Sequence, residues 1–590
     1  YTKFDQEEAD RAAGLAAKGR DLTHTELQAL NELLRDNGKT TEFAKTFYEK
    51  LGPERALAFF GQLAKDTNDY AEVDKERLAD VQAFQRNLGL NLATASHDKA
   101  FTAEWGPELR KMGTERIPLS KYDNSGGPFG YQLLGGIMRY GNYDPKFLNP
   151  IAEHVVQLRQ KDHDFFYASK DVPGGPENPY NPSGVNGSGY DPVNSMLEAL
   201  GHSPEAAKQF FSAEPTAYNE DGTRKSGDAD LGKFKGESGK EEKVTSYLTF
   251  FQNEEYDPFY DVTGHDPDDA KKSTQYMPDA LGKALEAATT GHAWDDPSPT
   301  LKRDGVTAGI MKEVIDSYGG DSGLRDRHDP MKDSLARMGA AYIDDLNYST
   351  YNFGGYGDEV GRSDLFGKSN DDTKRTDFGD DAARRFMAAV ATDDEGYRTL
   401  SRAQQVYEAS GLRSFGEHKD DALAFGGNAT KVHGILDESR SIGIGDEFKN
   451  DEDAKNLAME KSAEWRKAGV SGAVTAVVGV GSAVVLGPAA GVVAAVAVPL
   501  VMESVGSTVS TQYGTDTLQY LKDSEYNNND RALTSIDAEG SQGKRSAAAA
   551  MFHYADSVGM TQQEKRDLFE DIEQNYNNGV LAARQPMKVN

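Results

Sequence analysis

The sequence contains no cysteine, which excludes disulfides, thiolate zinc sites, iron–sulfur clusters and cysteine nucleophiles. Positive charge is also scarce, because 96 Asp and Glu residues face 65 Lys and Arg residues and the net charge is -31. A nucleic-acid binder needs clustered Lys and Arg to neutralise phosphates, and an anionic membrane surface attracts the same side chains. The composition therefore argues against nucleic acid as a partner and against simple electrostatic docking on lipid.

Signatures of catalysis and of metal binding are equally rare. The 11 His residues include no His-x-x-x-His pair on a predicted helix, a common arrangement of metal ligands. His163 and His265 lie beside aspartates, and the turn 266–269 is rich in Asp, but neither pattern has the spacing of a known metal loop. We therefore predict no catalytic residue, no cofactor and no metal site, and favour a protein that is not an enzyme.

Helical patterns dominate both ends of the chain. Thr23 with Glu26, and Thr561 with Glu564, have the spacing of capping boxes, and each pair precedes apolar residues at helical intervals. Gly and Pro are concentrated in between, and their density over 178–190 excludes a helix there. The sequence therefore predicts a mainly α, multi-helical fold with an irregular middle region rich in Gly, Pro and Tyr.

The chain of 590 residues is long enough for about three to five domains. Changes in composition suggest an N-terminal helical domain over 1–105, a loop-rich region with short helices over 106–304 and a helical region over 305–445. A C-terminal helical domain follows over 446–590. The polar stretch 218–243 is predicted to be an exposed loop.

The longest run without charge lies between Lys467 and Glu503. Its 35 residues include 9 Ala, 6 Gly and 12 Val. Gly487 and Pro488 predict a turn, which leaves arms of 19 and 14 residues, about 28 Å and 21 Å long as helices. We therefore expect a hydrophobic helical hairpin over 468–502, buried in the protein because so large an apolar surface is rarely exposed.

Small residues recur at every fourth position of this tract. They are Gly479, Ala483, Gly487, Gly491 and Ala495. This spacing lets helix backbones approach closely, in lipid or in a dense protein core. Together with Pro488 at the turn, these residues are the predicted membrane-insertion candidates.

The arrangement from Glu452 to Asp523 resembles the C-terminal domain of colicin-type pore-forming toxins, in which amphipathic helices enclose an apolar helical hairpin. The resemblance lies in composition and layout, and the arms here are richer in Val. The whole chain also resembles an uncharacterised actinobacterial family of large helical proteins that are secreted or similar to polymorphic toxins. That second likeness depends on Leu-Gly-Pro-Glu-Arg-Ala-Leu at 51–57 and Glu-Trp-Arg-Lys at 464–467.

These resemblances imply a secreted, non-enzymatic effector that inserts its hairpin into a target membrane. Target-membrane lipid is then the expected partner, with a second copy of the chain or an immunity protein as further candidates. The leading alternative is a structural or interaction protein, in which the hairpin is permanent core or an oligomer interface; a cytoplasmic location would fit this alternative. A hydrolase acting through the middle region is the third hypothesis.

Overall fold

The structure is a computed structural model of the chain. It describes twelve stretches of the sequence: 2–67, 75–121, 123, 126–167, 177–264, 266–351, 376–468, 477–478, 483–486, 495–499, 519 and 542–585. The chain forms two compact units. The N-terminal unit comprises Tyr1–Ala288 and His328–Met331, and the C-terminal unit comprises Thr289–Arg327 and Lys332–Asn590.

The fold is mainly α-helical and multi-helical, as the sequence predicts. The first thirteen helices are α1 (Thr2–Ala16), α2 (His24–Asp36), α3 (Thr41–Leu51), α4 (Pro53–Thr67), α5 (Lys75–Ser96), α6 (Lys99–Gly113), α7 (Gly130–Met138), α8 (Pro145–Lys161), α9 (Pro192–Gly201), α10 (Pro204–Ser212), α11 (Tyr247–Gln252), α12 (Pro267–Ser273) and α13 (Tyr276–Thr290). Short 3-10 helices occur at Gly19–Asp21 and Asp329–Met331.

Local sequence signals explain where several of these helices begin. The Thr23 side chain accepts from the Glu26 N–H while the Glu26 carboxylate accepts from the Thr23 N–H, which confirms the predicted capping box at α2. The α9 and α10 helices begin with a proline, as does α8, since a first-turn residue needs no N–H for the helix. The aspartate before α9, Asp191, caps it by accepting from the Val193 N–H at 3.0 Å.

The polar stretch 218–243 contains short strands, so the prediction of a plain loop is wrong there. Thr216–Tyr218 (β1) pairs antiparallel with Arg224–Asp228 (β2), and Lys233–Lys235 (β3) pairs antiparallel with Glu241–Lys243 (β4). The tight turns at Gly222 and Gly239 place glycine at positive φ, which returns the chain for pairing. Strands β2 and β4 are fully exposed, as expected for this stretch.

In the described part of the C-terminal unit there are ten further helices. They are α14 (Gly305–Gly320), α15 (Ser322–Arg327), α16 (Lys332–Ala341), α17 (Ile343–Thr350), α18 (Asp380–Ala391), α19 (Asp394–Phe415), α20 (Lys419–Glu447), α21 (Glu452–Ala468), α22 (Gln542–Ser557) and α23 (Gln562–Arg584). The second predicted capping box, between Thr561 and Glu564, is present at the start of α23.

Helix α19 is the centre of this unit, because every residue from Thr399 to Leu412 is buried. It packs against α16, α18, α20 and α22. A helix that is buried on all sides is usually apolar throughout, but α19 carries Arg402, Gln404 and Glu408 in its buried stretch. These polar side chains need partners inside the unit.

Helices α20 and α23 lie backbone to backbone where two glycines face each other. A Cβ atom added to Gly434 would lie 2.3 Å from the carbonyl oxygen of Tyr576, and one added to Gly579 would lie 2.0 Å from that of Lys431. Neither position therefore has room for a side chain. The absence of a side chain lets the last helix dock directly onto α20.

Candidate functional site

The apolar tract forms β-strands at 477–478, 483–486 and 496–499, so the predicted helical hairpin is wrong at these positions. Val477–Val478 (β5), Ala483–Leu486 (β6) and Val496–Pro499 (β7) form a three-stranded antiparallel sheet in the order β5-β6-β7. Val484 pairs with Val498 and Leu486 with Val496. β-branched valines favour strands because their side chains fit a pleated, half-buried surface.

The predicted burial of the tract is confirmed where side chains are described. Val485 and Leu486 are 3% exposed, Val496 is 2% exposed and Val498 is fully buried. Because β6 and β7 are antiparallel, the chain reverses between them, and the predicted turn residues Gly487 and Pro488 lie in the connecting segment. Residues 487–494 of that segment are outside the described residues.

Two of the six predicted insertion residues lie in the described part of the chain. Ala483 begins β6 and pairs with Pro499. Ala495 directly precedes β7 and is half-buried. The other four, Gly479, Gly487, Pro488 and Gly491, are outside the described residues.

The sheet joins the main hydrophobic core of the C-terminal unit. Leu486, Val496 and Val498 belong to one buried cluster with side chains of α19, α20, α22 and α23. Strand β7 also packs against α16 and α19. Members of this cluster that come from the last two helices are Ala548, Ala550, Met551, Phe552, Tyr554, Ala555, Leu568 and Ile572.

A network of polar side chains lies in the same unit between α19, α20 and α23. One carboxylate, that of Asp437, accepts hydrogen bonds from two hydroxyls: Tyr397 at 2.6 Å and Tyr576 at 2.6 Å. Gln404 and Asn347 exchange two amide hydrogen bonds of 2.8 and 2.7 Å. Buried polar groups of this kind are costly unless they are paired, and here they specify which helices meet.

This network also contains a buried contact between a basic and an acidic side chain. Nε2 of His433 lies 3.0 Å from Oε2 of Glu408, and both side chains are at most 4% exposed. Burial raises the pKa of Glu408, and the hydrogen bond from His433 opposes that rise. Oε1 of Glu408 has no hydrogen-bond partner among the described residues.

A buried lysine completes the polar interior. The Nζ of Lys431 donates to the carbonyl oxygen of Thr350. Burial lowers the pKa of Lys431 to about 8, an effect that the nearby Asp380 partly offsets. Sequence reasoning missed this network, because its members lie far apart in the chain on helices whose apolar periodicity does not reveal which polar residues face inward.

A second polar cluster lies in the N-terminal unit, where the hairpin β1–β2 meets α8. The Tyr131 hydroxyl donates to Nδ1 of His154 at 2.5 Å, and Nε2 of His154 donates to the carbonyl oxygen of Glu220 at 3.0 Å. Burial lowers the pKa of His154 to about 4. The hydroxyl of Tyr247 donates to Glu153 at 2.9 Å. These contacts fix the hairpin to the helix and leave both ring nitrogens of His154 engaged.

The residues that the sequence raised as metal candidates have other partners. His163 lies 2.9 Å from Asp164 and 3.2 Å from Asp257, near the surface. Asp266 caps α12 by accepting from the Asp268 N–H, and His265 is outside the described residues. Within the described ranges, no group of three or more His, Asp or Glu side chains is placed to hold a metal ion.

Among the residues for which the structure gives a position, no helix has both the length and the apolar character required to cross a membrane.

Comparisons with known proteins provide little support for any assignment. No protein-family model matches the chain, and no curated protein matches it. A solved structure of an engineered protein from the Northeast Structural Genomics Consortium is 10% identical, with 92% of this chain and 98% of that chain covered, at a TM-score of 0.20. At that TM-score the similarity carries no argument about fold or function.

Proposed function

We propose that this chain is a secreted, non-enzymatic effector that keeps the apolar segment 468–502 in the core of its C-terminal unit and inserts it into a target membrane. One observation supports the proposal most strongly. The described strands of this uncharged segment are at most 3% exposed at Val485, Leu486, Val496 and Val498. These described strand residues are thus hidden from water, although the segment to which they belong has the composition of a lipid-compatible tract.

The pairing of the strands supports a segment that can separate from the rest of the unit. All three strands of the described sheet, β5, β6 and β7, come from the segment itself. In the described part of the chain, the sheet is therefore attached to the surrounding helices through side-chain packing, without a strand shared with another segment. Its transfer to lipid would replace one apolar environment by another.

Insertion would require a change of secondary structure. A small sheet has open edges, and unpaired N–H and C=O groups are not tolerated in hydrocarbon, where no water can bind them. Conversion of the two arms to helices would satisfy the backbone groups in the interior of each arm within that arm. The proposal therefore includes a transition of β5, β6 and β7 from strand to helix on contact with lipid.

The response to acid should arise at the surface. At neutral pH the net charge of -31 repels anionic lipid, and protonation of exposed Asp and Glu weakens that repulsion. The buried Glu408 has the opposite effect on release of the apolar segment, because its protonation in acid stabilises the folded unit. Burial raises its pKa, so its ionisation destabilises the fold above the ordinary carboxyl pKa, and that cost is relieved as pH falls through the raised value.

The alternative is that the segment is permanent core of a structural or interaction protein. The observation that favours it is that Leu486, Val496 and Val498 share one cluster with side chains of α16, α17, α19, α20, α22 and α23. Removal of these side chains would leave a cavity in the centre of the unit, which typically costs several kcal/mol.

A site-specific fluorophore separates the two functions, and the absence of cysteine makes the labelling unique. Ala495→Cys, carrying an environment-sensitive dye, is mixed with liposomes that contain nitroxide-labelled lipid at pH 4.5 and 7.5. Insertion predicts quenching of the dye at position 495, release of trapped dye from parallel liposomes and an increase in helical circular dichroism, all larger at pH 4.5. The exposed Asn578→Cys on α23 is the matched control and should remain unquenched. Absence of quenching and of dye release at both pH values, with folded protein, would leave the permanent-core function as the better account.

A further inference from the structure

The Gly-rich loop 184–190 of the N-terminal unit contacts two buried side chains, the basic Arg139 and the acidic Asp261. Nη1 of Arg139 donates to the Val185 carbonyl at 2.6 Å, and its Nε donates to the Ser195 hydroxyl at 3.2 Å. On the other side, Oδ1 of Asp261 accepts from the Tyr190 N–H at 2.7 Å. The Asp261 backbone carbonyl also accepts from the Ser188 N–H, at 3.1 Å.

The loop needs this support, because several of its residues have positive φ. Gly184, Gly187 and Gly189 have positive φ, and Asn186, at φ 56°, is in the left-handed region that non-glycine residues seldom adopt. The Asn186 amide donates to Glu198 at 2.6 Å and to Asp279 at 2.7 Å. Strain of this kind persists only where surrounding contacts fix the backbone.

The second oxygen of Asp261 is in an unusual position. It is completely buried and has no hydrogen-bond partner among the described residues. The nearest cation, Nη2 of Arg139, is 4.0 Å away. A Cβ atom on Gly187 would lie 2.1 Å from this Oδ2, so the loop backbone closes directly over the carboxyl group.

We propose that Asp261 is a proton-dependent support for the loop 184–190: with a neutral Asp261 the loop is held closed, and with an ionised Asp261 it loosens. Oδ1 already accepts from Tyr190, so the proton belongs on Oδ2, where it removes an unpaired buried charge. Ionisation places a negative charge against the loop backbone, with Arg139 4.0 Å away and no hydrogen bond to Oδ2 among the described residues. Such a charge costs far more in a dry interior than in water.

The charged neighbours of Asp261 agree with this assignment. Burial, and then the proximity of Asp191, raise the pKa of Asp261 to about 7, while Arg139 lowers it only in part. Burial raises the pKa of Asp191 as well, and Arg159, whose Nη1 lies 3.6 Å from it, offsets that rise in part. The Tyr276 hydroxyl also faces Asp261 and has its pKa raised by burial and by this carboxyl. Asp261 therefore titrates in the physiological range, with the loop directly above it.

The sign of the effect follows from linkage. A carboxyl whose pKa is higher in the closed state binds its proton more tightly there, so the closed loop loses stability as pH rises from the ordinary carboxyl pKa to about 7. Between pH 5.5 and 8.0 the opening equilibrium should increase on the order of tenfold or more, and it should level off above pH 8.

Hydrogen exchange of the full chain, corrected for intrinsic exchange rates, tests this at residues 181–191. Wild type should show the increase in opening, and Asp261→Asn, which keeps an acceptor for Tyr190 but cannot ionise, should show none. Asp279→Asn removes a carboxylate that contacts the same loop through Asn186, and it should keep the wild-type pH response. A flat wild-type profile, or an unchanged profile in Asp261→Asn, would overturn the proposal.

A second variant keeps the test decisive if Asp261→Asn does not fold. Asp191→Asn retains an oxygen to cap α9 but removes the negative charge that raises the pKa of Asp261. It should move the midpoint of the loop-opening profile to lower pH, measured by the same exchange experiment. A purely structural role for Asp261 would leave that midpoint where it is in wild type.

Discussion

The hydroxyl of Tyr576, on the last described helix, donates a 2.6 Å hydrogen bond to Oδ2 of Asp437 in the interior of the C-terminal unit. Asp437 belongs to α20 and also accepts from Tyr397 of α19. One carboxylate thus connects three helices, and two of the connected residues, Asp437 and Tyr576, are 139 positions apart in the chain. The connection fixes the position of α23, whose Leu568 and Ile572 belong to the core that holds the apolar strands.

Tyr576→Phe should destabilise the C-terminal unit by about 1.5–3 kcal/mol, because the lost hydrogen bond goes to a carboxylate in a buried site. Tyr554→Phe is the matched control. The Tyr554 hydroxyl donates to the uncharged carbonyl of Gly416 at 2.7 Å, and its loss should cost about 0.5–1.5 kcal/mol. Urea denaturation followed by circular dichroism gives both values. Equal costs in the two variants would contradict the role assigned to Asp437.

Gly434→Ala and Gly579→Ala should each destabilise the same unit, by about 1–3 kcal/mol. The added Cβ atoms would lie 2.3 Å and 2.0 Å from backbone carbonyl oxygens of the facing helix, and backbone atoms cannot move aside as a flexible side chain can. Gly445, also in α20, has no atom within 4 Å of an added Cβ. Gly445→Ala should therefore be neutral or stabilise by up to about 1 kcal/mol. Thermal melts of the three variants rank these effects, and a destabilised Gly445→Ala with an unaffected Gly434→Ala would refute the packing argument.

The N-terminal unit should lose stability in acid through His154. Burial lowers the pKa of this imidazole from 6.5 to about 4, so the unfolded chain binds the proton first as pH falls. The stability from a neutral His154 is complete above pH 6.5 and declines down to about pH 4, by roughly 3 kcal/mol at most. His154→Gln can replace both hydrogen bonds without titrating. Urea denaturation monitored through Trp105 at several pH values should show a smaller acid loss in this variant; the same slope in both proteins would exclude His154 as the source.

Polar substitutions at Val498 should reduce membrane permeabilisation in a graded order. Aspartate costs about 2.5–3.5 kcal/mol at a bilayer centre, and threonine is milder, so dye release should follow wild type, then Val498→Thr, then Val498→Asp. Val498 is fully buried, so circular dichroism must first establish that each variant folds. Val306→Asp controls for an added charge, because Val306 is 46% exposed in the same unit. If folded Val498→Asp releases as much dye as wild type, the segment is not what enters the membrane.

Local signals in the sequence were sufficient for many helices. The Thr561–Glu564 capping box, with Leu568, Ile572 and Tyr576 on one helix face, predicted the last helix, and the structure confirms it. Such signals are readable because they depend on residues three or four positions apart. The network around Asp437 was not predictable, because its partners Tyr397 and Tyr576 are brought together only when distant helices pack.

The sequence by itself determined that this is a mainly helical, cysteine-free, acidic chain with one uncharged segment that must be kept from water. Composition and short-range periodicity decide those properties. Only the tertiary structure decided that Val484 and Val498 pair on neighbouring strands. It also decided that Asp437 accepts a hydrogen bond from Tyr576. A tract of Ala, Gly and Val has a weak local preference for helix, so its conformation depends on what surrounds it. In the C-terminal unit, antiparallel pairing and packing against helices stabilise the extended form of its described strands.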